Sequence, residues 1–219
     1  RNYDFASYLD ALKDYLRGVR RIVHAATGRE PVLYANSATS SYALGAKELF
    51  NRPGTNDLLD GYCFEDSYLK VDARREKGGR QSVRAAFLPI TNAKWLVNVG
   101  YHADAARSGL RGLCMVGPAG YLAAYLNASQ PNYDQLLRFA YGSFLLTVTK
   151  ERTTSFGLPL LLDAASARPW PPLLYAPIGD PIQPNDIASL KLPGSPCYLR
   201  TFAQGLVVVN PSATGGPVT

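Results

Sequence analysis

The residues best suited to chemistry in this chain lie in the stretch 60–66, which reads DGYCFED. A short apolar run from Tyr62 to Phe64 leads directly into two carboxylates. Because adjacent carboxylates are costly to bury, we expect a strand that reaches solvent at Glu65. Barrel enzymes of the α/β class carry their catalytic acids at the carboxyl ends of strands. Glu65 is therefore the candidate general acid/base.

Polar residues also follow two other predicted strands. One strand, over 31–36, ends at Asn36, and another, over 94–102, ends at Tyr101 and His102. Because the carboxyl ends of neighbouring parallel strands share one edge of a sheet, we expect these residues and Glu65 to surround one concavity. Amide, carboxylate, phenol and imidazole groups suit sugar hydroxyls, and aromatic rings pack on sugar faces. The candidate substrate-binding residues are Tyr34, Asn36, Asp66, Tyr68, Tyr101 and His102.

Hydrolysis of a glycosidic bond normally needs two carboxylates. Asp66 is a poor partner for Glu65, since neighbouring side chains of a strand point to opposite faces. Asp104 is a second candidate, and an earlier strand is the more usual source. In the alternative interpretation, Glu65 only caps a helix or pairs with Lys70 or an arginine.

The sequence contains no motif typical of a metal site, a nucleophilic hydrolase or a phosphate-binding site. The two histidines and three cysteines lack metal-ligand spacing, and neither a nucleophile elbow nor a phosphate-binding glycine loop occurs. We therefore predict no metal and no cofactor. Any two of Cys63, Cys114 and Cys197 would suffice for one disulfide bond, although the apolar setting of Cys63 favours a buried thiol.

The composition is that of a globular protein, with 219 residues, 47% of them hydrophobic, and a net charge of +6. No apolar run approaches the roughly 20 residues that span a membrane, so we predict no membrane span. The basic clusters at 17–21 and 74–84 lack interleaved aromatics, which argues against nucleic acid and leaves an acidic polysaccharide as a third option. Frequent tyrosine and proline, with scarce lysine and methionine, favour an extracellular location. A sequon also occurs at Asn127, although such patterns often arise by chance. The opening residues resemble the middle of a longer protein rather than a signal peptide.

Apolar periodicity and turn residues predict the elements of the chain. Helices are expected over 8–23, 42–50, 80–88 and 133–148, strands over 31–36, 58–68 and 94–102, a short strand or the start of a helix at 113–116, and a hairpin from 197–202 and 206–210.

This alternation predicts parallel strands joined by right-handed crossovers. Three or four βα units are visible where a closed barrel needs eight. We therefore predict an α/β fold, the C-terminal part of a (β/α)8 barrel with a closing β-hairpin. Residues 1–155 would hold the later βα units, 156–196 proline-rich surface loops, and 197–219 the hairpin and tail, packed on the same domain. The open sheet edge would be covered by upstream strands or by another protein chain.

The closing segment carries a family resemblance. The segment begins with Ile178-Gly179-Asp180-Pro181 and continues with an arginine and an aromatic at Arg200 and Phe202. Gly205, a valine-rich run and Asn210-Pro211 come next. With the earlier stretch that ends at Glu65, this order resembles glycoside hydrolases of the (β/α)8 clan, such as the endo-α-1,4-polygalactosaminidase-like barrels.

The resemblance implies a polysaccharide substrate, with Glu65 as the later of two catalytic acids. The family's earlier aspartate has no counterpart in this sequence, and Tyr101-His102 stands where some relatives have an acid or amide. These departures favour the alternative of a non-catalytic pseudoenzyme that serves as a structural or carbohydrate-binding component of an extracellular assembly.

Overall fold

The computed structural model describes residues 4–36, 58–64, 67–72, 86–89, 92–115, 133–157 and 172–212. Its helices are α1 (Phe5–Thr27), α2 (Asn92–Arg107) and α3 (Tyr133–Leu145), with a 3-10 turn at Pro172–Tyr175. Its strands are β1 (Tyr34–Asn36), β2 (Gly61–Phe64), β3 (Leu69–Asp72), β4 (Ala86–Pro89), β5 (Arg111–Met115), β6 (Thr154–Gly157), β7 (Tyr198–Phe202) and β8 (Gly205–Val209).

The central feature is a four-stranded sheet in the order β1-β2-β5-β6. Every neighbouring pair in it is parallel, with Asn36 opposite Cys63 and Phe64 opposite Cys114. The predicted α/β class and parallel strands are confirmed, although the described strands do not close into a barrel. Strands β3 and β4 form a separate antiparallel pair.

The three helices lie on one face of this sheet. Tyr62 and Phe64 of β2 point to this face and pack in one cluster with Tyr101 of α2, against which Leu16 of α1 also packs. Phe156 of β6, on the same face by its register, contacts Phe144 of α3 with ring centroids 5.5 Å apart. The interior of the protein is therefore the layer between the sheet and its helices.

Helix α1 begins at the N-cap Asp4, whose side chain accepts a hydrogen bond from Ala6 N at 3.4 Å. It ends at Gly28, which adopts a left-handed φ of 67° and donates its N–H to His24 O at 2.8 Å. The predicted helix over 8–23 is confirmed and is longer at both ends. Its buried Arg20 donates to Leu58 O at 2.7 Å, which ties the helix to the approach to β2.

Helix α2 corrects the predicted strand over 94–102. Its buried face carries Trp95, Asn98, Val99 and His102, at the spacing of a helix, and two of these four are polar. The polar residues broke the apolar periodicity of a helix. Leu96 and Val97, which are 39% and 47% exposed, extend Trp95 into a short apolar run that resembled a buried strand.

A second correction concerns the predicted helix over 80–88. Residues 86–89 form β4, which pairs with β3 so that Leu69 lies opposite Pro89. Strand pairing between segments distant in sequence overrides local propensity here. The predicted helix over 42–50, the basic cluster at 74–84 and the sequon at Asn127 lie outside the described residues.

Two other predictions hold. Helix α3 covers Tyr133–Leu145 and buries Leu137, Ala140 and Phe144 on the predicted face. The closing hairpin pairs β7 with β8, with Phe202 opposite Gly205 at the turn. The hairpin packs on α3, where a Cβ on Gly142 would lie 3.1 Å from Val209 Cγ2.

Arg200 of β7 fastens the hairpin to the end of α3. Its guanidinium is 1% exposed and donates to the carbonyls of Leu145, Leu146 and Val148 at 3.0, 3.0 and 2.7 Å. It also donates to Gln183 O at 2.9 Å. Burial lowers the pKa of Arg200 to about 10, so the side chain remains charged at neutral pH. A cation at the C-terminal carbonyls of a helix is favoured by the helix dipole.

Replacing this buried cation tests its contribution to stability. We expect Arg200→Met to lower the free energy of unfolding by about 3 kcal/mol, because at least three buried carbonyls lose their partner. The exposed Arg152, which pairs with Asp180 at 3.3 Å, provides the control. Arg152→Met should cost less than about 1 kcal/mol in the same urea titration. Equal losses in the two variants would contradict this role for Arg200.

Candidate functional site

The predicted strand exits of β1 and β2 lie at the same edge of the parallel sheet. Asn36, the last residue of β1, pairs with Cys63, and β2 ends one residue later at Phe64. Glu65 follows Phe64 directly in the sequence. Glu65 and Asp66 themselves lie outside the described residues. The carboxyl edge of β1 and β2 is therefore the candidate functional site.

The sheet face opposite the helices presents Tyr34, the first residue of β1, at the amino ends of β1 and β2. The Tyr34 side chain is 48% exposed and crosses Gly61 of β2, where a Cβ would lie 2.5 Å from Tyr34 Cε1 and 2.2 Å from Arg111 O. Only glycine leaves room for the ring at this position. The Asp60-Gly61 pair is therefore the entry to β2, and its glycine lets a tyrosine lie across the strand.

The helix-facing side of the sheet uses glycine in the same way. Tyr62, fully buried, crosses Gly112 of β5, where a Cβ would lie 2.5 Å from Tyr62 Cζ and 2.7 Å from its hydroxyl oxygen. This placement directs the phenol toward α2, where its oxygen lies 2.9 Å from His102 Nδ1.

Tyr62, His102 and Cys114 form a buried polar cluster beneath the candidate site. The Cys114 sulfur lies 3.2 Å from the same His102 Nδ1, and Phe64 meets the imidazole edge to face at 5.1 Å between ring centroids. All three polar side chains are 0% exposed. The cluster joins β2, β5 and α2 at the level of the strand that leads into Glu65.

Burial keeps the whole cluster uncharged at neutral pH. Desolvation lowers the pKa of His102 to about 3 and raises the pKa of Cys114 to about 12. The pKa of Tyr62 is raised well above its usual value, mainly by the same cause. All three groups are therefore neutral near pH 7. The cluster links β2 to α2 and β5 through contacts between neutral groups.

Three predicted substrate-binding residues lie inside the protein. Tyr101 and His102 belong to α2 rather than to a strand exit, and they are 3% and 0% exposed. Tyr68 is also fully buried, and its ring lies 5.5 Å from that of His102. Since solvent does not reach these side chains, the structure gives them a role in the core. Of the predicted set, the backbone of Asn36 lies at this edge, and Tyr34 lies on the exposed sheet face two residues before it.

The predicted second carboxylate does not lie at this edge. Asp104 is in the last turns of α2 and pairs with Arg107, close to the start of β5 and hence to the amino edge of the sheet. Asp60 precedes β2 at the same amino edge, where it pairs with Arg20 and accepts the N–H of Leu33 at 2.7 Å. The four described strand ends at the carboxyl edge are Asn36, Phe64, Met115 and Gly157.

No group of three or more histidine, cysteine or acidic side chains is placed to hold a metal ion among the described residues. No disulfide joins the three cysteines, all of which are described. In the described ranges, no helix has both the length and the apolar character needed to cross a membrane.

No protein family, curated protein or solved structure matches this chain. The site is therefore interpreted from its own geometry.

Sequence reasoning missed the buried cluster because its members come from three separate elements. The one local signal was glycine in two adjacent apolar strands, at Gly61 and Gly112, each of which accepts a tyrosine ring. A glycine inside a strand often marks such a close approach. The pairing itself depends on the strand register, which the sequence does not state.

A pair of glycine substitutions tests the packing of Tyr62. We expect Gly112→Ala to lower the free energy of unfolding by about 2 kcal/mol, since the new methyl group displaces the Tyr62 ring. Gly100→Ala, in α2, is the matched control, because no atom lies within 4 Å of its Cβ position. That change should stabilise the helix by up to about 1 kcal/mol. Chemical denaturation measures both, and similar effects would contradict the assigned contact.

The low pKa of His102 predicts acid sensitivity. The folded pKa of about 3 lies below the ordinary value of 6.5, so stability is complete above pH 6.5 and falls as the pH decreases toward 3. By pH 4.5 the loss from this group is about 2 to 3 kcal/mol.

The free energy of unfolding of the wild type and two variants is measured by chemical denaturation across this pH range. His102→Gln should show a shallower decline than the wild type, because it lacks the buried titrating group. His24→Gln, which changes an exposed histidine beside Glu30, should keep the wild-type slope. A His102→Gln slope equal to that of the wild type would overturn the assignment.

Proposed function

We propose that this chain is a glycoside-hydrolase-like protein that acts on or binds a polysaccharide at the carboxyl edge of its parallel sheet. The observation that carries the proposal is the β1–β2 register, which brings the end of β1 at Asn36 beside the strand end that precedes Glu65. In this proposal Glu65 is the general acid/base, and Tyr34, Asn36 and Asp66 contact the sugar.

The arrangement of the layers supports a barrel-type scaffold. Purely parallel sheets are normally covered on both faces or closed into barrels with helices outside. Here the helices cover one face, while Tyr34 and Ser155 on the other are exposed. We propose that this sheet is the C-terminal part of a (β/α)8 barrel and that the exposed face corresponds to the barrel interior. A partner chain or further strands would complete it.

A half-exposed tyrosine on the open sheet face suits a sugar substrate. The Tyr34 ring is held across Gly61 at the amino end of β2, which leaves one aromatic surface for a pyranose of an extended chain to pack on. A general acid must stay protonated at the working pH, and partial burial of a carboxyl group favours that state. An extracellular location remains a prediction from composition.

A second function, carbohydrate binding without catalysis, is favoured by the positions of the acids. Two described aspartates, Asp60 and Asp104, pair with arginines at the amino edge of the sheet. Neither faces the edge that leads into Glu65. As a pseudoenzyme, the protein would bind a polysaccharide as a component of an extracellular assembly, with Tyr34 as its main contact.

Hydrolysis and binding assays separate these functions. The purified chain is incubated with neutral, acidic and amino-sugar polysaccharides, and the release of reducing ends is measured. We expect Glu65→Gln to lower hydrolysis by at least about a hundredfold, since a positioned general acid contributes that much or more. Glu151→Gln, at an exposed position, is the control. Full activity in Glu65→Gln would exclude the catalytic role.

Retention on polysaccharide columns tests the binding function. Tyr34→Ala should weaken retention by about fivefold to tenfold, because the loss of aromatic packing costs about 1 kcal/mol. Binding without hydrolysis would support the pseudoenzyme. Neither hydrolysis nor retention on any of these polysaccharides would overturn both functions.

A further inference from the structure

Helix α1 carries a second apolar stripe on the side that faces solvent. Tyr8, Tyr15 and Ile22 are 56%, 65% and 70% exposed and recur every seven residues. The buried side of the same helix carries Leu9 and Arg20, which are 7% and 5% exposed. The outward residues therefore do not serve the contact between α1 and the sheet.

Small residues alternate with these large ones. Ala11, Gly18 and Ala25 also recur every seven residues, three positions after each large side chain. A Cβ on Gly18 would have no atom within 4 Å. Spacings of three and four residues in alternation form the seam of a coiled coil. We define the α1 seam as Tyr8, Ala11, Tyr15, Gly18, Ile22 and Ala25.

We propose that the α1 seam pairs with the α1 seam of a second copy of this chain, antiparallel, about a two-fold axis. In this arrangement each large residue meets a small one of the partner copy. The pairs are Tyr8 with Ala25, Tyr15 with Gly18 and Ile22 with Ala11, and each occurs twice. A two-fold interface requires such self-complementarity, because the same surface serves both subunits.

The charges beside the seam are complementary in the same arrangement. Asp14 and Arg21, both exposed, flank it on one side. The antiparallel pairing brings Asp14 of one copy to Arg21 of the other, and the symmetry repeats the pair. On the opposite flank, the partly buried Leu12 and Val19 meet across the axis. A parallel pairing would instead place Tyr15 against Tyr15 and Gly18 against Gly18.

The size of the seam predicts a weak complex. From Tyr8 to Ala25 the helix rises about 26 Å, so each copy contributes the face of a single helix. Interfaces of this extent lie at the lower end of specific protein contacts. We therefore expect a dimer that dissociates reversibly on dilution.

Sedimentation equilibrium of the purified chain measures this dimer. The wild type should show monomer and dimer in exchange. Gly18→Glu should be monomeric at all concentrations tested, because it inserts a carboxylate opposite Tyr15 of the second copy. The open space at Gly18 allows the variant to fold, which circular dichroism verifies. Should Gly18→Glu fail to fold, the charge variants described next decide the question.

Charge reversal identifies the antiparallel register. Asp14→Arg and Arg21→Asp should each weaken the dimer by about tenfold, because each places like charges across the axis. The double variant restores opposite charges and should recover the wild-type affinity. Asp10→Arg is the matched control, since Asp10 and Asp14 each pair with a basic residue three positions later but Asp10 lies off the seam. It should leave the dimer unchanged.

Two results would overturn the proposal. One is a wild-type chain that stays monomeric at the highest concentration, which would assign the seam to a different occupant. The other is a double variant that remains as weak as the single ones. Polysaccharide binding plays no part in these measurements, so they are independent of the proposed function.

Discussion

The desolvated contact between β2 and α2 is the constraint on which the rest of the structure depends. Tyr62, His102 and Cys114 bring three polar groups into an interior that excludes water, where the Tyr62 hydroxyl and the Cys114 sulfur meet His102 Nδ1 at 2.9 and 3.2 Å. A shift of β2 by one residue would turn Cys63 toward the helix and Tyr62 away from it. The contact therefore fixes the register of β2, and with it the point at which the chain leaves the sheet for Glu65.

The sequence correctly predicted the elements that show a clear pattern within a short stretch of residues. Helix α1 and helix α3 show clear apolar periodicity, and the hairpin is marked by Gly205 between two apolar strands. Helix α2 was missed because its buried face is partly polar. Asn98, for example, donates to Ser67 O at 2.7 Å, and this partner lies 31 positions earlier in the chain. No window of sequence contains both ends of such a contact.

The shared edge of the candidate site was predicted correctly for two strand ends and wrongly for a third. Parallel neighbours with polar residues at their ends implied a shared edge, and this held for the ends of β1 and β2. The error at Tyr101 and His102 followed directly from the error in α2, because residues on a helix do not mark a strand exit. Exposure could not be inferred either, since the burial of His102 depends on rings from β2 and on Tyr68.

Two of the arginines that contribute to the net charge of +6 are buried inside the protein. Arg20 and Arg200 are 5% and 1% exposed, and both donate to backbone carbonyls where segments meet. Their planar guanidinium groups reach several acceptors at once, which suits them to this role. These two charges do not contribute to a basic surface, so the composition overstates the attraction of the protein for polyanions.

The two strand glycines connect stability with recognition. Gly112 admits Tyr62 into the layer beneath the helices, and Gly61, on the neighbouring strand, admits Tyr34 onto the opposite face. In each case the missing side chain lets an aromatic ring cross the strand. Because Tyr62 is fully buried and Tyr34 is 48% exposed, the same local device anchors the sheet on one face and presents an aromatic surface on the other. In the proposed function, the buried Tyr62 anchors β2, while Tyr34 offers its ring to the sugar from the exposed face, three residues before β2 ends.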